Sequence, residues 1–578
     1  MEEFSFKKFF YPLTSVKAVH FIILTGLIVY FKSLFNGFVW DDADQIVNNP
    51  LILHLGNIPY FFTHSTFYTG GAQSALSGLY YRPTMMVLFA LTASMWGVSS
   101  FMFHLNTIVL HIANSILIYF FIKKLLGVNK LKYAIPASFS AAMLYLVHPA
   151  NVEAVAYVSA TSELLYTFFL LVALNATLSF GFSSKYSFAK LLLIFISVTL
   201  SLFSKESALL TVLFVLFLSF FFFRGKIKIL LIPSLLGVGL YSFFRFILSH
   251  LSAPQNNIGL PIAKAPLTQR LFTVPYELFS YIRIILFPKD LHISQAYIVT
   301  NPSSVQFYLP FFADFIMLFI GLYYLIRAKS RLLYFFTLWL CLSLGLVLNI
   351  IVPLDFTIEE RWLYVPLIGV FGIAAVIFSN IFGSKWKFLK QISVVVVIIA
   401  IILFSLRTMI RIGDWVDSLT LYRHDIVLSH DSFELYTNYG STLYSVGELA
   451  QSEDAYRKAI QLEPNDLWAL NDLGSIYANQ GDYKKAMPLY QKSMQIAPTY
   501  ASYENLAEIY YLTEKPFQVI PVLKQYLQVF PNSAKLNQLT ALEYSAVGEI
   551  DLAKAYARKS AALNSTSDNV TPLLPLLQ

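Results

Sequence analysis

Apolar positions gather into thirteen runs over the first 410 residues, at roughly 18–35, 83–97, 102–122, 133–147, 160–180, 188–203, 207–223, 229–248, 270–287, 308–326, 332–351, 362–382 and 391–406. Most are long enough to cross the hydrocarbon core of a bilayer as helix. Two stand apart. The run 83–97 is short, and 270–287 is broken by Pro275, Glu277 and Arg283. Past residue 410 the long runs stop and Asp, Glu, Lys, Gln and Asn become frequent, which marks a second, water-soluble region.

That second region repeats. YTNYG at 436, LNDLGSIY at 470 and ENLAEIY at 504 recur with a period near 34 residues. They are followed by Gly447, Gly481 and Gly548, by the small residues Ser452, Ala486 and Ala553, and by Pro464, Pro498 and Pro531. This is the tetratricopeptide pattern, in which small residues let paired helices approach and proline closes each unit. Two repeats are clear; a third is weaker, and a fourth is degenerate as an end cap would be. The expected organisation is a membrane domain over 1–411, with a first outer loop at 36–100. A helical connector follows over 412–432, then about four repeats over 433–566 and a tail at 567–578. The predicted fold class is all-α: a polytopic helical membrane domain followed by an α-solenoid.

Charge decides how the runs thread the bilayer. If 83–97 and 270–287 lie at the interface, eleven spans remain. Then Lys7 and Lys8, the 123–132 lysines, Lys185 and Lys190, Arg224 to Lys228, Arg327 to Arg331 and Lys385 to Lys390 all share one side, as cytoplasmic loops do. Thirteen crossings would move three of these clusters outside. The net charge of +8 therefore reads as topology and gives no nucleic-acid signal. The N-terminus reads as a retained first span, since no small-residue cleavage site follows it. The one cysteine, Cys341, lies in an apolar run and excludes a disulfide framework in the soluble part.

Eleven spans also bring the polar motifs to the face opposite the basic clusters. These are NGFVWDD with Asp41 and Asp42, YYRPT with Arg82, HPANVE with His148 and Glu153, SATSELL with Glu163, FSKES with Lys205 and Glu206, and IEERW with Glu360 and Arg361. Ionised groups beside a membrane are costly unless they bind or react, so the acidic pair reads as a working site. A solvated turn before Asn48, Asn49 and Pro50 is the local alternative. Lys205 and Glu206 can satisfy each other, and Arg361 can pair with Glu359 or Glu360 and only fix a helix start. His148, before Pro149, fits a helix-end hydrogen bonder better than a catalyst. Glu153 and Glu163 flank one outer turn, and one of them is expected near the site. No zinc pattern, glycine-rich phosphate loop or serine nucleophile elbow is present. The aromatic tracts FFTHSTFYTG and LSFFFFRG read as interface belts.

Taken in order ahead of the repeats, NGFVWDD, YYRPT, LVHPANVEAVAYVSATSELL, FSKES and EERWLYVP resemble the transmembrane and tetratricopeptide-repeat O-mannosyltransferases and related bacterial proteins with a GT-C glycosyltransferase domain. The resemblance implies an inverting transferase. Its donor would be a polyprenyl- or dolichyl-phosphate sugar, its sugar mannose, and its acceptor a protein Ser or Thr hydroxyl outside the cytoplasm. Displacement at an anomeric carbon needs a base for the acceptor's proton and positive groups where charge gathers on the departing phosphate. By resemblance Asp41 matches that base and Asp42 a positioning or metal-binding partner beside it, the sequence leaving open which of the two is the base, and Arg82, Lys205 and Arg361 bind the donor phosphate. His148, Glu153, Glu163, Glu206 and Glu360 are further candidates at the site. No cofactor is implied beyond the lipid-linked donor, and a divalent metal is not expected. The repeats would bind a protein or peptide acceptor outside the membrane. Short outer loops favour a bacterial plasma membrane over an endoplasmic reticulum. The rivals are a cell-envelope polysaccharide ligase or polymerase, expected to rely on arginine and histidine in a late outer loop, and a non-catalytic repeat scaffold, which leaves the acidic pair unexplained.

Overall fold

A computed structural model describes residues 12–67, 80–183, 186–251, 261–293, 295, 297–563 and 571–577. Lys7, Lys8, Lys185, the end of the tract FFTHSTFYTG and the first part of the tail lie outside these residues. The chain forms two compact units, Met1–His424 and Asp425–Gln578. Among the described residues both are all-α, with an isolated antiparallel bridge between Gln295 and Ile358 as the one departure.

In the first unit a helix stands at every apolar run. These are α1 Ser15–Tyr30, α2 Pro83–Trp96, α3 Ser100–Val128, α4 Ala134–Leu146, α5 Thr161–Gly181, α6 Phe188–Ser204, α7 Leu209–Phe222, α8 Ile227–Ser242, α9 Leu267–Leu286, α10 Val305–Ala328, α11 Arg331–Gly345, α12 Pro366–Gly383 and α13 Lys387–Asp414. Among the described residues seven helical segments are long and apolar enough to cross a membrane. They coincide with α1, α3, α5, α8, α10, α12 and α13, with α1, α5 and α8 lengthened by adjoining turns. Shorter apolar helices stand at α2, α4, α6, α7 and α11. The unit is a polytopic membrane domain, as the run lengths require.

Helix α3 is central and packs on α1, α4 and α5. Its inner face carries His111 and Asn114, both fully buried. The His111 ring lies 2.8 Å from the Tyr364 hydroxyl, to which Asn114 donates at 3.1 Å, while Tyr145 of α4 donates to the Tyr364 carbonyl at 3.0 Å. Polar groups in a membrane interior are costly when unpaired, so this knot holds α3, α4 and the segment before α12 in one register. Close approach does the same between α11 and α12, where a Cβ on Gly372 would fall 2.2 Å from the Phe336 ring.

A helix α14, Ser418–Leu428, runs across the unit boundary. The second unit then stacks four helix pairs: α15 Phe433–Ser445 with α16 Leu449–Leu462, α17 Leu467–Asn479 with α18 Tyr483–Ile496, α19 Tyr500–Thr513 with α20 Pro516–Val529, and α21 Ala534–Ala546 with α22 Ile550–Leu563. The first helix of each pair is capped by Ser432, Asp466, Thr499 or Ser533, each accepting from a backbone N–H two or three residues on. Glycine appears where the tyrosine of the partner helix presses in: a Cβ on Gly440 or Gly474 would meet the Tyr456 or Tyr490 ring at 2.9 or 2.7 Å.

A polar site at the ends of the membrane helices

Several stretches of the first unit, distant in sequence, bring charged side chains together. Asp42 is fully buried. Its Oδ1 accepts from the Ser159 N–H at 2.7 Å and hydroxyl at 2.6 Å, and its Oδ2 accepts from the Val39 N–H at 3.1 Å. Burial still outweighs these donors and pushes the carboxyl up to about 7. Asp42 thus ties the first loop to the turn before α5.

Asp41 is only half-buried. Burial raises its pKa, opposed by a hydrogen bond from the Tyr157 hydroxyl and by the charges of Arg361 and Arg82. Just before it, Trp40 occupies the left-handed region at φ 53°, a strained setting for a bulky residue and one found mainly at sites. The strain is held by stacking. Trp40 lies on Tyr157 with centroids 5.4 Å apart and planes 15° from parallel, and Tyr157 lies on Trp415 at 5.9 Å. The Arg361 guanidinium caps both Trp40 and Tyr157 at 5.6 Å.

Arg361 is bound on two sides. Its guanidinium meets Glu153 at 2.6 Å and Glu359 at 2.5 Å, and its backbone N–H donates to Glu153 at 2.9 Å. Both carboxylates are fully buried. Burial alone would lower the Arg361 pKa, but the two acids raise it, so the ion stays charged.

The basic residues continue across the site. Arg82, at the start of α2, lies 3.3 Å from Glu206 through Nε, donates to Ser162 at 3.4 Å and covers the Tyr80 ring at 4.4 Å. Glu206 also accepts from the Tyr81 N–H at 2.8 Å, and Arg245 stands 3.6 Å away. Against the upward pull of burial, Arg82 and these neighbours hold Glu206 below its ordinary value. Lys205 pairs with Glu163. Burial lowers the Lys205 pKa, Glu163 opposes this, and the nearby positive charges of Arg82 and Arg361 add to the depression. The three predicted cations therefore feel one another across one small region.

Asp41, Asp42, Arg82, Glu153, Glu163, Lys205, Glu206 and Arg361 all meet here. Lys205 and Glu206 point to different partners, and Glu153 and Glu163 both reach the site where only one was expected. Arg361 takes Glu359, and Glu360 instead pairs with the buried Arg411 at 3.4 Å. His148 stands apart from the ions: its ring accepts from the Ala150 N–H at 3.2 Å, contacts the Ile285 carbonyl at 3.0 Å, and burial lowers it to about 4. Sequence reasoning named Glu359 as a possible partner of Arg361 but did not single out Trp40, Tyr157, Ser159 or Arg245. Tyr157 and Ser159 lie inside the motif HPANVEAVAYVSATSELL, whose polar residues within an apolar turn were the available signal. Arg245 lies inside the apolar run 229–248, where a lone charge was itself the available signal.

Buried carboxylates matched to buried guanidiniums in a multi-helix membrane unit, followed by a helical repeat array, define a membrane protein with a cluster of paired buried charges. Residues 431–499 match the tetratricopeptide repeat family. Over 446 residues the chain is 26% identical to "Protein O-mannosyl-transferase F38B6.6" of Caenorhabditis elegans, covering 73% of this chain and 59% of that protein. It is 26% identical over 461 residues to "Protein O-mannosyl-transferase TMTC3" of Mus musculus, covering 74% and 49% respectively. The chain is thus similar to the transmembrane and tetratricopeptide-repeat O-mannosyltransferases through most of its length, while it spans only about half the length of these curated relatives. A solved structure, that of MamA protein, aligns at 19% identity and a TM-score of 0.24 over 26% of this chain and 83% of that one, too loosely to carry an argument.

Proposed function

We propose that the chain is an inverting glycosyltransferase that moves a sugar, mannose by analogy with its relatives, from a polyprenyl- or dolichyl-phosphate donor to a Ser or Thr hydroxyl of a protein on the extracytoplasmic side of its membrane. The observation that carries this reading is the division of labour between the two aspartates. Asp42 has its oxygens committed to Ser159 and Val39 and serves as a fastener. Asp41 keeps partial exposure, a pKa raised by burial, and a hydroxyl donor that fixes its direction. Asp41 is the base that takes the acceptor's proton. Arg82 and Lys205 stabilise charge on the departing lipid phosphate, and Arg361, flanked by two buried acids, holds the aromatic stack that aims Asp41. The reading uses no divalent metal and no cofactor beyond the lipid-linked donor.

The repeats bind the protein acceptor, and their covalent link to the membrane domain raises the acceptor's effective concentration at the site. The membrane is bacterial plasma membrane, with endoplasmic reticulum as the alternative. The decisive experiment supplies purified full-length chain with polyprenyl-phosphate mannose and acceptor protein. Mannosylation that disappears in Asp41→Asn, with lipid-phosphate binding retained, supports the reading. Unchanged transfer in Asp41→Asn ends it. A chain truncated after Ser432 should keep transfer to a short free peptide better than transfer to whole protein, and equal loss of both would leave the repeats with some other task.

A further inference from the structure

Arg245 does not belong to any of the polar motifs, yet it lies in the site. It sits in a π-helical turn, Phe243–Leu248, that ends α8. Such turns displace a side chain from its helical course and recur at functional sites. The turn brings the Arg245 Nη1 to 3.6 Å from Glu206 and within 2.6 Å of the Tyr241 hydroxyl, with the side chain only 11% exposed. Its Nε is buried with no hydrogen-bond partner among the described residues. Arg82 approaches the same carboxylate from the other oxygen.

We propose that Arg245 and Arg82 form a two-arginine cradle about Glu206 that binds the phosphate of the donor, with Arg245 as a direct phosphate ligand. The inference rests on the donor reading above. Charge matching supports it. Two guanidiniums share one carboxylate, which leaves these three side chains one net positive charge, while the neighbouring Lys205 and Glu163 cancel each other and the Asp355 carboxylate accepts from the hydroxyl of Tyr80, the ring that Arg82 covers, at 2.6 Å. Around Arg361 the balance is reversed, since one cation faces Glu153 and Glu359 with Asp41 close by. The site is polarised, with an anion-accepting end and a proton-accepting end. A sugar phosphodiester carries a single negative charge, which the cradle matches. A lipid diphosphate brings more charge than the cradle neutralises and is disfavoured. The planar fork of Arg245, with one buried N–H free, suits a phosphate oxygen better than an ammonium would.

The test measures binding of mannosyl polyprenyl monophosphate, which is the singly charged phosphodiester, mannosyl polyprenyl diphosphate and uncharged polyprenol to the full chain in lipid nanodiscs. The wild type should prefer the monophosphate. Arg245→Gln should weaken monophosphate binding about tenfold or more, the scale of one lost charge-assisted hydrogen bond, and leave polyprenol binding unchanged. Glu206→Gln should act in the opposite direction, tightening both anionic lipids and the diphosphate most. Wild-type monophosphate affinity in Arg245→Gln overturns the role of Arg245 while leaving the donor reading intact. If Arg245→Gln does not fold, Glu206→Gln decides, and unchanged or weaker diphosphate binding overturns the cradle. A wild-type chain that binds polyprenol as well as its phosphate defeats the donor reading itself.

Discussion

Two buried aspartates, one in each unit, accept backbone N–H groups in contrasting ways. Asp466 of the repeat unit caps α17 by accepting from Trp468 and Ala469, its near neighbours in sequence. Asp42 of the membrane unit reaches Ser159, 117 residues away. The repeat unit is made of such local agreements: a cap, a glycine beneath a tyrosine, and a left-handed glycine at the turn, as Gly481 at φ 77°. The polar site of the membrane unit is made almost wholly of distant ones. Arg361 meets Glu153, Arg82 meets Glu206, and Lys205 meets Glu163. A local fault should therefore stay within one repeat, whereas losing one ion of the site should leave its partner buried and uncompensated.

The largest expected effect belongs to Asp41. Asp41→Asn keeps size and most hydrogen bonding but removes proton affinity, so mannosyl transfer should fall 10²-fold or more with thermal stability near wild type, read by initial rates and a melting curve. Arg361→Met comes next. It leaves Glu153 and Glu359 buried without their cation and should destabilise the membrane unit by about 3–5 kcal/mol, seen as a lowered unfolding temperature in detergent. A stability close to wild type would mean that the ion cluster is open to water.

Asp42→Asn should cost about 1–3 kcal/mol, because its amide group turns a donor towards the N–H of Val39 or the donors of Ser159. The same variant removes a pH signature. The folded carboxyl titrates near 7 against an ordinary 3.8, so the folded state holds the proton more tightly. Its contribution is full below about pH 4, declines as pH rises to about 7 and is level above. Melting temperatures of wild type and Asp42→Asn across that window should differ in slope, and parallel curves would refute the assignment.

Gly474→Ala tests the local side of the comparison. The added Cβ meets the Tyr490 ring at 2.7 Å, and overpacking of this kind costs about 1–3 kcal/mol. Limited proteolysis should show cleavage confined to the repeats. The smallest effect is that of Tyr157→Phe. It removes the hydroxyl that lowers the Asp41 pKa, so the acidic limb of the kcat/KM profile should move upward by about one pH unit or less. A downward shift would take Tyr157 away from Asp41.

Much of the architecture was legible along the chain. Thirteen apolar runs are thirteen helices, because run length and hydropathy are local properties that the bilayer converts directly into helix. The repeats were legible for the same reason: a 34-residue period places each small residue and each turn glycine next to its partner. Within the site, the identities of Asp41, Arg82, Glu153, Glu163, Lys205, Glu206 and Arg361 stood out because charges are rare in apolar surroundings. Apart from Glu359 beside Arg361, their partners did not. Adjacent residues such as Lys205 and Glu206, or Glu359 and Glu360, turn to different sides, and side-chain direction at the end of a helix depends on the neighbour that helix packs against. The placement of Arg245 was hidden because its π turn is not written in hydropathy. The sequence by itself determined the helices, the repeats and the chemistry available. The tertiary structure alone decided which carboxylate is a fastener, which remains open, and which arginines share an acid, since Coulomb and desolvation energies depend on distances that only the packed helices set.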